Sequence, residues 1–228
     1  MSELKYQHGR LLYRRKSTGE ERGREDWWLT RNRDGSATLR SLVITEDSRV
    51  VRDVNYTRAV DGRLSEAFLR LQVGEHWVGS GHFRTQADTL HVSAYGQDFG
   101  HVTQSIALPT EPIFLATYSV MQTAWVIFAY DRSRGGEQLR RIYNTSTRRD
   151  GRDGPLGRLE TCRIRLLGEE EVEVPAGRFK TTHFQLELDG VRMPAAHFWV
   201  AGQDRVLLRC DWPELDHEYV LTAWKTET

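Results

Sequence analysis

Val172-Glu173-Val174-Pro175-Ala176-Gly177-Arg178-Phe179-Lys180-Thr181-Thr182 is the stretch that decides how this chain folds. Val172 and Val174 flank an acid, the period-two pattern of a strand with one buried face. The run stops at Pro175, which lacks an amide donor and has a fixed φ. Gly177 supplies conformational freedom for a corner, and an alternating run restarts at Phe179 and continues to Leu188. Two such runs about a Pro-Ala-Gly corner read as a β-hairpin.

The same pattern extends in both directions. Downstream, strand-like runs occupy residues 195–201, 205–212 and 217–225, and residues 159–174 form the run before the corner. Upstream, runs at 25–33, 37–45, 49–60, 64–73, 76–84, 89–95 and 99–108 are punctuated by Asp34-Gly35, Asp47-Ser48, Asp61-Gly62 and Gly74-Glu75. Asp-Gly between alternating runs is a strong hairpin signal. Two stretches break the pattern. In residues 113–128, Tyr118, Met121, Trp125 and Phe128 recur at helical intervals, which predicts a short helix plugging one side of a curved sheet. Residues 148–155 are polar and glycine-rich and read as a surface loop. The expected fold is all-β and mainly antiparallel: a single domain over residues 1–228, lipocalin-like, a barrel or strongly curved half-barrel enclosing a ligand cavity.

Composition bounds the function. The 228 residues carry 32 Lys and Arg against 32 Asp and Glu, a net charge of zero. This argues against a nucleic-acid binder, which needs a basic excess or stripe. No apolar run reaches the roughly 18 residues of a membrane-spanning helix. The start, Met1-Ser2-Glu3-Leu4-Lys5, has no apolar leader, so Cys162 and Cys210 are expected to be free thiols in a cytoplasmic protein. Phosphate-binding glycine loops, Cys-x-x-Cys, His-Glu-x-x-His and Gly-x-Ser-x-Gly are absent, so no cofactor and no metal are expected.

The segment 174–181, Val-Pro-Ala-Gly-Arg-Phe-Lys-Thr, is followed by His197-Phe198-Trp199-Val200. Together they resemble a family of uncharacterised, mostly periplasmic bacterial β domains with a Val-Pro-Ala-Gly-x-Phe-x-Thr turn and a Phe-Trp strand. The resemblance covers about the C-terminal third. It implies a fold like the half-barrel carriers of lipoproteins, which wrap a curved sheet around an apolar ligand.

Candidate chemistry centres on histidines. With a turn at residues 85–88, His82 faces His91 across the ladder, Ser80 faces Ser93 and Val78 faces Tyr95. A three-residue loop at 97–99 places His101 opposite Tyr95, Thr103 opposite Ser93 and Ser105 opposite His91. One face then carries His82, His91, Tyr95 and His101 among hydroxyls. The other carries Trp77, Phe83, Leu90, Val92, Val102 and Ile106 as core. Three readings stand open for the polar face: solvated exterior, a cavity wall where an imidazole acts as general acid or base, or a metal site that lacks carboxylates on its own strands. Tyr118, Trp125, His197 and Trp199 are candidate ligand-binding aromatics. The expected function is cofactor-free proton-transfer chemistry, of lyase, dehydratase or isomerase type, on a small apolar or aromatic molecule. The alternative is non-catalytic carriage of a lipid or other hydrophobic ligand. Monomer and homodimer are both compatible with the sequence.

Overall fold

The computed structural model describes residues 5–108, 112–189 and 194–227. Its first half is a run of hairpins: β1 (Lys5–Arg15), β2 (Glu21–Arg31), β3 (Ala37–Thr45), β4 (Val50–Arg58), β5 (Leu64–Val73), β6 (His76–Gln86), β7 (Thr89–Gly96) and β8 (Gly100–Ala107). A short β9 (Phe114–Ala116), one helical turn α1 (Val120–Thr123) and a 3-10 segment (Ala124–Ala129) follow. The second half comprises β10 (Glu137–Asn144), β11 (Arg158–Val174), β12 (Gly177–Asp189), β13 (Ala196–Ala201), β14 (Val206–Trp212) and β15 (His217–Glu227). All fifteen strands form one curved sheet in the order β8-β7-β6-β5-β4-β3-β2-β1-β15-β14-β13-β12-β11-β10-β9.

The two meanders are joined where the first strand pairs with the last: Tyr13 lies opposite Tyr219 and Leu12 opposite Val220. Glycine makes this seam possible. A β-carbon on Gly9 would sit 2.5 Å from both the Trp27 ring and the Ala223 carbonyl oxygen, so its absence lets fully buried Trp27 lie across β1. The sheet is an open, strongly curved one rather than a closed barrel, with β8 and β9 at its edges. Near these edges a Tyr143 hydroxyl on β10 donates to Gln104 Oε1 on β8 at 2.9 Å. Among the described residues no helix is long and apolar enough to cross a membrane.

Alternation places one side chain of every two on the concave face, where the core lies. Residues 113–130 fill this concavity, with Phe114, Met121, Trp125 and Ile127 almost wholly buried. The predicted plug is therefore present, but its helical part is one α-turn continued as 3-10 helix. Its first residues, Phe114–Ala116, pair parallel with β10, with Phe114 opposite Ile142, where a helix was expected. All three are buried, so no polar alternation marks them as a strand. Residues 148–155 also depart from expectation. Gly151, Gly154 and Pro155 are buried, and β-carbons on Gly79 and Gly81 would crowd Pro155 at 3.0 and 3.2 Å. The loop folds inward because β6 offers no side chains there.

The β6–β7 hairpin corrects the predicted histidine pairing. Ala87, at φ +48°, takes a left-handed conformation, which closes a two-residue turn with Gln86 opposite Thr89. His82 consequently faces Ser93, and His91 faces Arg84. The next hairpin matches its predicted register, with Tyr95 opposite His101 and His91 opposite Ser105. Trp77 is corrected too. The β5–β6 register slips between Leu71 and Gln72, and Trp77 stacks on half-exposed Tyr95 at 5.5 Å instead of entering the core.

Candidate functional site

The structure places His82, His91, Tyr95 and His101 together on the outer, convex face, all exposed. Local partners satisfy them: His82 Nε2 meets Glu66 Oε1 at 2.6 Å, His101 meets the Ser93 hydroxyl at 2.9 Å and His91 the Ser105 hydroxyl at 3.3 Å. His197 and Trp199 lie on the outer face of the second half. There His183 bridges His197 Nδ1 and Glu170 Oε1, both at 2.9 Å, and stacks on Trp199 at 4.1 Å. Burial pulls His183 and His197 below the usual imidazole range, with each ring's charged neighbours as secondary influences. Among the described residues no three His, Cys, Asp or Glu side chains are grouped to hold a metal ion. Trp125 is a core residue, donating Nε1 to the Asp204 carbonyl at 3.1 Å and standing edge-on to Tyr56.

Of the predicted ligand-binding residues, Tyr118 alone reaches the interior cavity. This cavity, of about 60 Å³, lies between the plug and the concave face of β10 to β15. Ile142, Cys162, Leu186, Ala196 and Phe198 form its sheet wall, Tyr118, Val120 and Val126 its plug wall, and Tyr219 its end. Partly exposed Glu187, Leu188, Pro194 and Trp212 mark its mouth. The lining is overwhelmingly apolar. Burial pushes the Cys162 thiol up to about 12 and raises both the Tyr118 and Tyr219 phenols. At neutral pH the buried wall is therefore uncharged. Cys210 is a second buried free thiol.

One polar group on this wall is incomplete. Asn144 donates Nδ2 to Glu160 Oε2 at 2.6 Å. A carboxylate only accepts, so the amide nitrogen must face Glu160 and the oxygen must point the other way. Asn144 Oδ1 is buried and has no hydrogen-bond partner.

Glu25, which the sequence reading did not single out, fixes the plug. It projects from β2 into the core with no exposed surface. Oε2 accepts from the Tyr13 hydroxyl at 2.6 Å, Val120 N at 3.0 Å and Met121 N at 3.3 Å, while Oε1 accepts from the Ser119 hydroxyl. Ser119 also caps α1 by accepting from Gln122 N at 3.1 Å. The carboxyl thus meets the open amides of a helical turn, where negative charge is favoured. Burial still raises it above the ordinary carboxyl range, against the pull of its donors.

Arg52 was likewise not anticipated. It extends from β4 beneath the loop after β10, fully buried, with its guanidinium 4.7 Å from the Tyr118 ring centre. Its Nε donates to Ser146 Oγ at 3.1 Å and its Nη2 to the Arg148 carbonyl; Nη1 has no partner.

No family model and no curated protein matches the chain. Among solved structures, it is similar to a β-barrel-like protein of domain of unknown function DUF1849 from Brucella abortus, with a TM-score of 0.53 and 10% identity over 98% of each chain. It is also similar to a DUF1089 family protein from Pseudomonas aeruginosa, with a TM-score of 0.45 and 13% identity over 83% of this chain and 90% of that one. At these identities the first likeness speaks for a shared β-barrel-like fold.

Proposed function

We propose that this protein is a non-catalytic binding protein for a small hydrophobic molecule, whose apolar end enters the cavity between the plug and β10 to β15. The observation that carries this reading is the cavity wall: overwhelmingly apolar, with a single buried acceptor left unpartnered, Asn144 Oδ1. Ligand pockets combine an apolar lining with a few placed polar groups in this way. The C-terminal turn motif adds support by fold analogy alone: the bacterial β-domain family that it resembles implies a fold like that of the half-barrel carriers. Cavity size sets the mode of binding. About 60 Å³ is well below the roughly 150 Å³ that admits benzene, so part of the ligand extends through the mouth by Leu188, Pro194 and Trp212.

Proton-transfer catalysis needs an acid or base titrating near neutrality within reach of the ligand. The buried wall offers phenols and a thiol held above their usual ranges, and the histidines stand on the outer face. Native mass spectrometry of the purified protein tests the proposal. A retained organic mass released on denaturation supports it. Protein that carries no ligand and takes up none from a panel of alkanols would overturn it.

A further inference from the structure

At one end of the sheet the plug leaves the core between two turns. Phe128 lies against Gly62 of the β4–β5 turn and against Arg205, which ends the β13–β14 turn. Four arginines gather around this point: Arg31, Arg58, Arg132 and Arg205. Two carboxylates face three of them. Asp204 accepts from Arg31 Nε at 3.1 Å and from Gln7 at 2.8 Å, with Arg58 at 3.6 Å, and Glu169 pairs with Arg132 at 3.3 Å. The flanking acids Asp61 and Asp131 have Arg63 and Arg134 as their own cationic neighbours. Four cations against two acids leave a local excess of positive charge.

Arg205 stands out within this group. Its guanidinium packs against the rings of Phe128 at 4.9 Å and Phe184 at 5.6 Å. None of its side-chain nitrogens has a hydrogen-bond or ion-pair partner among the described residues, and none is shut off from solvent. Arg132, on its flank, is half exposed, so the guanidinium is open to water on that side. Burial and the charges of Arg132 and Arg58 bring the Arg205 pKa down to about 10, which leaves it a cation at neutral pH. The backbone of Arg205 takes φ +50°, a strained conformation for a long side chain. Strain of this kind clusters at ligand sites.

We propose that Arg205 is the base of an oxyanion site, open to solvent and flanked by Arg132, that takes a phosphate group. A guanidinium with all its nitrogens uncommitted offers the planar fork that oxyanions fit with two parallel hydrogen bonds. The surplus of positive charge favours a dianion, and therefore phosphate over a carboxylate. The two phenyl rings hold the fork in place before the anion arrives, which lowers the cost of binding. None of Arg205, Arg132, Phe128 and Phe184 lines the apolar cavity, so this site is independent of the binding role proposed above.

Titration of the full chain with inorganic phosphate at constant ionic strength, followed by amide NMR, tests the inference. Saturable shifts are expected at the amides of residues 202–205 and 128–132, with none from chloride. Arg205→Asn removes the fork and keeps a residue that tolerates the left-handed turn. It should weaken phosphate about tenfold or more. Arg63→Gln, which removes an exposed arginine from the β4–β5 turn, should leave the affinity within about twofold. Methyl phosphate identifies the source of the group: binding of both anions assigns the site to a phosphomonoester, and binding of inorganic phosphate alone to the free ion, each in support. No saturable shift with either anion would overturn the inference, whether or not the variants fold. Unchanged affinity in Arg205→Asn, or acetate bound as tightly as phosphate, would overturn it too.

Discussion

Replacing Glu25 with alanine should release the plug. Four donors converge on its two oxygens: the hydroxyls of Tyr13 and Ser119 and the amides of Val120 and Met121. Each is buried, and a buried donor left unmade costs about 1–3 kcal/mol. Taking the low end for all four, because water can enter the void and Tyr13 can turn to the Tyr118 carbonyl 3.4 Å away, gives about 4 kcal/mol. Relief of the carboxylate's own desolvation offsets part of this, so a net loss of about 3 kcal/mol is expected. That is a large share of the roughly 5–15 kcal/mol holding a typical domain together. Urea unfolding followed by tryptophan fluorescence measures the loss as a lower midpoint at constant slope. Amide exchange locates it, because Val120 and Met121 should exchange faster at the plug while β3 and β4 stay protected. A loss under about 1 kcal/mol with unchanged exchange at both amides would refute the anchoring role. The sign with pH is also set. Burial raises the Glu25 carboxyl, so its contribution is full below the unfolded value and declines as pH rises through the folded one. Glu25→Gln should therefore cost more below pH 5 than at pH 8.

Further outcomes follow from the same geometry. Gly9→Val should destabilise by about 1–3 kcal/mol in urea, because its β-carbon meets the Trp27 ring and an immovable backbone oxygen at 2.5 Å; an unchanged midpoint would contradict the packing at the seam. His217, whose pKa burial pulls down to about 4, should weaken the fold as pH falls from 7 towards 4, since the unfolded ring takes the proton first. Partial exposure reduces that loss to about 1 kcal/mol, and His217→Gln should flatten this part of the stability profile. Cys162 and Cys210 should resist a thiol reagent in the native protein and titrate as two thiols once it is denatured; fast native labelling would contradict their burial.

Much of the sheet was legible because its turns carry local chemistry. Asp34-Gly35 and Asp61-Gly62 mark hairpins whose glycines take φ +85° and +88°, conformations few other residues adopt. What escaped is where local chemistry is weak. In β1, two core-facing positions are Gln7 and Gly9, so apolar alternation begins only at Leu11 and the strand joining both halves was overlooked. The β6–β7 register depended on Ala87 entering a conformation that alanine rarely takes, so a longer turn was inferred and His82 was paired with the wrong partner.

The candidate site was harder to read for a related reason. The residue types that usually carry chemistry, His82, His91, Tyr95, His101, His197 and Trp199, stand on the outer face. The interior polar groups carry a quieter signal, a charged residue at a core-facing step of an alternating strand. Glu25 stands between Gly23 and Trp27, and Arg52 between Val50 and Val54. Each breaks the apolar phase of its strand, and each meets its hydrogen-bond partners on a segment distant in sequence, which no local pattern reveals.

Filling the cavity tests the central claim most directly. Ala196 is a small residue on the sheet wall, and Ala196→Phe should fill the space between Phe198 and Val120. The account predicts saturable one-to-one binding of a straight-chain alkanol or fatty acid by the wild type, followed by calorimetry, and at least a tenfold loss of affinity in Ala196→Phe at unchanged fold by circular dichroism. Equal affinity in the filled variant, or no saturable binding by the wild type, would contradict it.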